Sequence, residues 1–187
     1  MKKFALCLVS FILIFALCSC SKNPAKDTVE GMLSALSACD FEKAKNYVDT
    51  QDITNYSEDY IINAFLENMS YEILNVKKDG KNFVVSAKIT TINSREFIKK
   101  YVQKTMAVLQ TNFSKKFTAE ELKNIVNEIT KDNPQKSENE ASILVKAQDG
   151  AYKALCNDEL LGALFDHYKE TYDEIIKEME QGLVLEN

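Results

Sequence analysis

Cys20 closes the one stretch of this sequence whose residue types and order prescribe a covalent reaction. Leu17-Cys18-Ser19-Cys20 places a branched apolar residue at −3 and a small residue at −1 before a cysteine. That pattern is read by the signal peptidase that processes lipoproteins. The reaction needs a thiol, because the diacylglyceryl group is attached through a thioether. Cys18 suits the reaction less well, since Leu17 would then occupy −1. The preceding residues agree. Met1-Lys2-Lys3 is a basic start, and Phe4 to Leu17 is an apolar run of about 14 residues broken only by Ser10. A bilayer-spanning helix needs roughly 20 residues, so this run has the length of a signal h-region. The expectation is export, cleavage before Cys20 and lipidation of that cysteine. An ordinary cleaved signal and an uncleaved anchor are the alternatives. Two cysteines remain beyond Cys20, Cys39 and Cys156. Export permits a disulfide between them, but nothing in the sequence brings them together, and two buried free thiols are the expected state.

Elsewhere the candidates for chemistry are thinner. His167 is the only histidine. With no second histidine and no cysteine cluster, it makes no zinc site, and no serine or cysteine sits in a recognisable nucleophile elbow. Asp158, Glu159, Asp166, Glu170, Asp173 and Glu174 crowd toward the C-terminus, mostly off the apolar positions of a helix, as a solvated face would. A buried carboxylate would be of more interest, because burial raises its pKa toward a useful range. There is no glycine-rich phosphate loop and no calcium-loop spacing. No metal and no cofactor are expected.

Composition bounds the rest. The chain has 187 residues, and removal of 1–19 leaves 168, with 21 basic and 28 acidic side chains, a net charge of −7. Such a balance argues against nucleic acid as a partner. It should also keep the domain off an anionic membrane, leaving the lipid alone to hold it there. Arg95 is the only arginine, and Lys, Asn and Ile are frequent. This bias suggests an AT-rich genome and a Gram-positive host. The expected organisation is a signal peptide at 1–19, the lipidated cysteine and tether at 20–24, and one domain at 25–187.

The elements follow from period and caps. Residues 24–38 read as a helix capped by Asn23, with Pro24 in its first turn and Val29, Met32, Leu33 and Leu36 as its stripe. Asp40 caps a second helix, Phe41–Val48. Asn55 and Glu58 have capping-box spacing for a third, through about Asn68. The period then becomes two. Tyr71–Lys77 and Asn82–Ile92 flank Asp79-Gly80, a hairpin signal, with Phe83, Val85, Ala87, Ile89 and Thr91 expected inside. Asn93 with Glu96, and Thr118 with Glu121, are further capping boxes. They open helices striped by Phe97, Ile98, Tyr101, Val102, Met106, Leu109 and Phe113, and by Leu122, Ile125, Val126 and Ile129. Residues 131–139, with Pro134, read as an exposed loop. A second hairpin, Ala141–Gln148 and Ala151–Cys156, turns at Asp149-Gly150. Asn157 caps one closing helix, striped from Leu161 to Met179.

Val29–Val48, with its Asp40-Phe41-x-x-Ala44 step between two helices, resembles the opening of small exported proteins of the nuclear transport factor 2-like superfamily, a cystatin-like α+β cone. Ile143–Ile175, with Lys146-x-x-Asp149-Gly150 and Asp158-Glu159-Leu160-Leu161, is similar to Gram-positive lipoproteins of unknown function. The resemblance implies a curved antiparallel sheet of about four strands packed on N-terminal and C-terminal helices, with a helical insertion between two hairpins. It departs from the family at Tyr152, where a tryptophan is more usual. Tyr71, Phe83, Tyr101, Tyr168 and Tyr172 are the candidate lining of a ligand pocket, although core packing is the plainer role for them. The stripes of 94–113 and 119–129 could instead face a partner. The functional expectation is a non-enzymatic module for a small ligand or an envelope protein, held by its lipid on the outer face of the cytoplasmic membrane. The alternative is a small pocket enzyme of isomerase or hydrolase type with a buried carboxylate.

Overall fold

Helix α1 (Pro24–Ser37) shows how closely the local signals are followed. Asn23 Oδ1 accepts the N–H groups of Ala25 at 3.1 Å and Lys26 at 3.4 Å, and Pro24 fills the first turn. The helix ends in a Schellman motif. The N–H of Asp40 reaches Ala35 O and that of Cys39 reaches Leu36 O, both at 2.9 Å. Cys39 takes the left-handed conformation usually left to glycine, with φ 52°. Asp40 then caps α2 (Phe41–Ala44), accepting the N–H of Lys43 at 3.0 Å. This computed structural model describes residues 23–50, 56–131 and 133–182. The signal segment 1–19, Cys20, Ser21 and Lys22 lie outside the described residues, as does Asn55.

The second helix stops well short of Val48. The residues after it form a strap along the sheet instead, with Val48 bridged to Ala154 and the N–H of Ala154 donating to Tyr47 O at 2.7 Å. Helix α3 (Tyr60–Glu67) begins later than the Asn55/Glu58 spacing suggested. Its cap is Asp59, whose Oδ1 accepts from Ile61 and Ile62, so Glu58 precedes the cap.

Four strands form one antiparallel sheet in the order β1-β2-β3-β4: β1 (Ser70–Asp79), β2 (Asn82–Ile92), β3 (Lys136–Gln148) and β4 (Ala151–Ala154). The chain is therefore α+β, as expected. The first hairpin turns one residue later than Asp79-Gly80. Asp79 pairs with Asn82, and Gly80 leads the turn with φ 58°. The second turns at Asp149-Gly150, both with positive φ (50° and 79°), as a type I′ turn requires. Leu74 has no partner between the Ile73/Ala87 and Asn75/Ser86 pairs and forms a bulge on β1, where it is 45% exposed. Residues 136–139, read from sequence as loop, begin β3. Their polar side chains mislead, because β2 runs on to Ile92 and offers Thr90, Thr91 and Ile92 as partners to Glu138, Ser137 and Lys136. Pro134, expected to be exposed, is buried.

One face of the sheet is apolar. Val85, Ala87, Ile89, Ala141, Ile143 and Val145 are all buried, with Val85 opposite Ile143 and Ala87 opposite Ala141. Helix α1 and the short α6 (Asp158–Leu164) cover that face and complete the first core cluster. Burial of this kind stabilises at roughly 25 cal/mol per Å². The insertion between β2 and β3 is a helical hairpin, α4 (Ser94–Thr111) and α5 (Ala119–Lys131). Its base meets α3 and the last helix, α7 (Tyr168–Glu180), in a second cluster around Phe65, Phe97, Ile98, Val126, Ile129 and Ile175. Phe165 packs against both clusters. Both are built from residues within 25–179, so this unit carries its own core. Among the described residues, no helix is long and apolar enough to cross a membrane.

Candidate functional site

Three of the five aromatic residues expected to line a pocket come together, joined by a fourth. Tyr60 of α3, Tyr101 of α4, and Tyr168 and Tyr172 of α7 meet at the seam of the second cluster. Tyr168 and Tyr172 stack with ring centroids 6.3 Å apart, Tyr101 stacks on Phe97 at 6.2 Å, and Phe65 meets Tyr168 edge-on at 5.6 Å. Burial pushes the Tyr101 phenol above its ordinary range, and a hydrogen bond with Tyr60 adds to this. Tyr168 is raised to about 12, first by burial and then by the neighbouring Tyr172 and Asp59. The other two expected residues lie elsewhere. Tyr71 packs on the first cluster and donates its hydroxyl to Glu30 O at 3.2 Å, while Phe83 packs edge-on against Tyr152 at 5.7 Å. A stripe position places a side chain on a core-facing surface, but not in a particular cluster, so sequence alone could not separate these two from the rest.

Two open clefts flank the tyrosine seam. One, of about 420 Å³, has walls of Tyr56, Ile62, Leu161, Phe165 and Tyr168 and a polar rim of Asp158, His167, Lys169 and Glu170. The other, of about 480 Å³, lies between α3 and α5 and is mostly polar, with Glu58, Glu67, Glu120 and Lys123 among its lining. Asn63, part of its lining, has a buried side-chain oxygen with no hydrogen-bond partner among the described residues. Among the described residues no group of three or more His, Cys, Asp and Glu could hold a metal ion.

The first cleft owes its shape to a break the sequence did not reveal. The expected single closing helix is two, α6 and α7, separated at Asp166 and His167, which both adopt left-handed backbone (φ 48° and 52°). Neither glycine nor proline marks the spot. The break is held by tertiary bonds. Asp166 Oδ2 accepts the N–H of Ser94 at 2.8 Å and Oδ1 accepts Asn139 Nδ2 at 3.0 Å, while the His167 N–H reaches Gly162 O at 2.9 Å. Asp166 therefore faces the protein as an acceptor at the N-terminus of α4, instead of lying on a solvated helix face. The His167 ring lies over Gly162, where a Cβ would come within 2.8 Å of it. His167 itself is exposed at the cleft rim.

Cys39 and Cys156 are not bonded to each other. The Cys39 thiol donates to Asn63 O at 3.7 Å, and the Cys156 N–H reaches Asp49 Oδ1 at 3.2 Å. Burial, and then the negative charge of Glu67, raise the Cys39 pKa, which makes its thiol a slow nucleophile.

No family model matches this chain, and no curated protein matches it. Among solved structures it is similar to a candidate lipoprotein, ycdA of Bacillus subtilis, at 16% identity and a TM-score of 0.40, over 73% of this chain and 44% of the other. The chain thus spans less than half the length of that protein. Likeness at this level assigns neither a family nor an activity.

Proposed function

We propose that this chain is an extracytoplasmic lipoprotein that works by binding, without catalysis, in the aromatic cleft between α3 and the α6–α7 break. The observation that carries the reading is the cleft itself. Its volume of about 420 Å³ lies in the range of small-molecule sites, and apolar walls with a few polar groups at the rim suit such sites. Tyr56, Phe165 and Tyr168 would hold an apolar or aromatic body, and His167 and Lys169 would meet a polar end. The finer fold assignment, a nuclear transport factor 2-like cone, belongs to the same proposal. The three opening helices and the Asp40-Phe41 step support it. A buried acid or base is the enzymatic alternative. Of the carboxylates at or beside the cleft, Asp158 and Glu170 are exposed and Asp166 has both oxygens engaged by Ser94 and Asn139, which favours the binding reading.

Native mass spectrometry of residues 21–187, purified without detergent, tests the cleft. The expected result is a reproducible adduct that is lost in Tyr56→Ala and retained in Phe83→Ala. A bare protein, or an adduct indifferent to Tyr56, would refute the cleft. The anchor is tested separately. Cys20→Ala should release the protein from membranes washed in high salt, and continued sedimentation would refute lipidation at that residue.

A further inference from the structure

Exposed apolar side chains and positive charge coincide on the α4–α5 hairpin, in a protein that is otherwise acidic. Residues 97–131 hold seven lysines and three glutamates, a net charge of +4. From Cys20 onward, the remainder carries −11. Between Phe97 and Ala119 there are five lysines and no acidic residue at all. The same segment holds three large apolar residues on the surface: Met106 (39% exposed), Val108 (36%) and Phe113 (88%). Helical spacing stacks Met106 above Lys99, and Val108 above Lys100 and Lys104. Lys104 pairs with Glu128 at 2.8 Å and Lys115 with Glu121, while Lys100, Lys116 and Lys123 are exposed.

We propose that the tip of this hairpin, Met106 to Phe117, is a lipid-facing surface that rests on an anionic bilayer. The inference builds on the lipid anchor read at Cys20. Ser21, Lys22 and Asn23 separate that cysteine from Pro24, so α1 starts at most about 14 Å from the lipid attachment point. A domain tethered so closely must turn one of its sides to the bilayer. A body at −11 is repelled by anionic headgroups, whereas each lysine near such a surface contributes about 1 kcal/mol of attraction, or roughly fivefold in affinity. Phenylalanine beside lysine is the pairing that interfacial segments use, the ring entering the headgroup boundary while the amines meet phosphates. The net charge of −7 pointed the other way because it averages over two regions of opposite sign. The lipid then sets how close the domain lies, and the hairpin sets which side faces down.

The chain has no tryptophan, so Phe113→Trp gives a single reporter at the exposed position. Residues 21–187 with this change, lacking any lipid, are mixed with vesicles of phosphatidylcholine alone or with about one third phosphatidylglycerol. The expected result is a blue shift of emission and co-sedimentation on the anionic vesicles only, reversed by salt. Adding Lys116→Glu should weaken that binding roughly fivefold or more, with the far-ultraviolet circular dichroism unchanged. Emission that stays red on anionic vesicles overturns the proposal. So does equal binding to both vesicle types, or indifference to the Lys116 charge reversal. A blue shift that needs no vesicles and grows with protein concentration also overturns it, by assigning the surface to a second copy. Because this chain carries no lipid, failure here leaves the Cys20→Ala fractionation to judge the anchor independently.

Discussion

Helices α1 and α4 present the same kind of apolar stripe, and the protein treats them differently. In α1, Val29, Met32, Leu33 and Leu36 are all buried. In α4, Phe97 and Ile98 are buried, Tyr101, Val102 and Leu109 are half-buried, and Met106 is exposed, as is Phe113 just beyond the helix. Spacing alone does not separate them. What differs is the platform. Helix α1 lies across a broad antiparallel sheet, against which every turn finds a partner. Helix α4 is held by α7 near its base, at Arg95 and Tyr101, and beyond that has only the single helix α5 beside it. An amphipathic stripe is thus a demand for cover, and the breadth of the covering platform decides how much of the demand is met.

The largest effect should come from breaking the covered stripe. Leu33→Ala is expected to cost about 2–5 kcal/mol, seen as a lower urea midpoint; a loss below about 1 kcal/mol would show that α1 is no better packed than α4. Asp166→Ala is next. It strips acceptors from the Ser94 N–H and the Asn139 amide and should cost about 1–3 kcal/mol, together with faster hydrogen exchange in the first turn of α4. Exchange that speeds up equally in α1 would mean the two regions unfold as one.

Alkaline pH sharpens the contrast. The Tyr168 phenol is neutral in the fold and raised from 10 to about 12 by burial. Its contribution is complete below pH 10 and is lost as pH rises toward about 12. Stability should therefore fall in that interval, and less steeply in Tyr168→Phe; identical profiles would place Tyr168 in a wetter site than its neighbours indicate. The smallest effect is assigned to the uncovered stripe. Met106→Ala should stay within about 0.5 kcal/mol of wild type, and a loss near that of Leu33→Ala would erase the distinction between the two helices.

How far the sequence could be read follows from how local each cause is. Asn23, Asp40, Asn93, Thr118 and Asn157 act on amides two or three residues ahead, and each caps as its spacing indicates. The two Asp-Gly hairpins are equally local, although the first shifts by one residue. The break at Asp166 depends on Ser94 and Asn139, which are remote in sequence, and no local pattern announces it. The start of β3 was hidden for the same reason, since its polar residues become a strand only because β2 extends to meet them. At the candidate site, the tyrosines of α4 and α7 could be read from their stripes. The cleft beside them could not, because the helix break shapes it.

The bulge at Leu74 has a consequence for how the protein behaves in a crowd. A flat outer strand of ten residues would invite a neighbouring chain to extend the sheet, and repeated extension builds fibres. On β1 the unpaired Leu74 interrupts the ladder, and Lys77 and Lys78 follow it. At the other border, β4 is only four residues long and the Val48 strap lies against it. Both borders of the sheet are thus guarded against templated growth. Deleting Leu74 would straighten the outer strand and reopen that path.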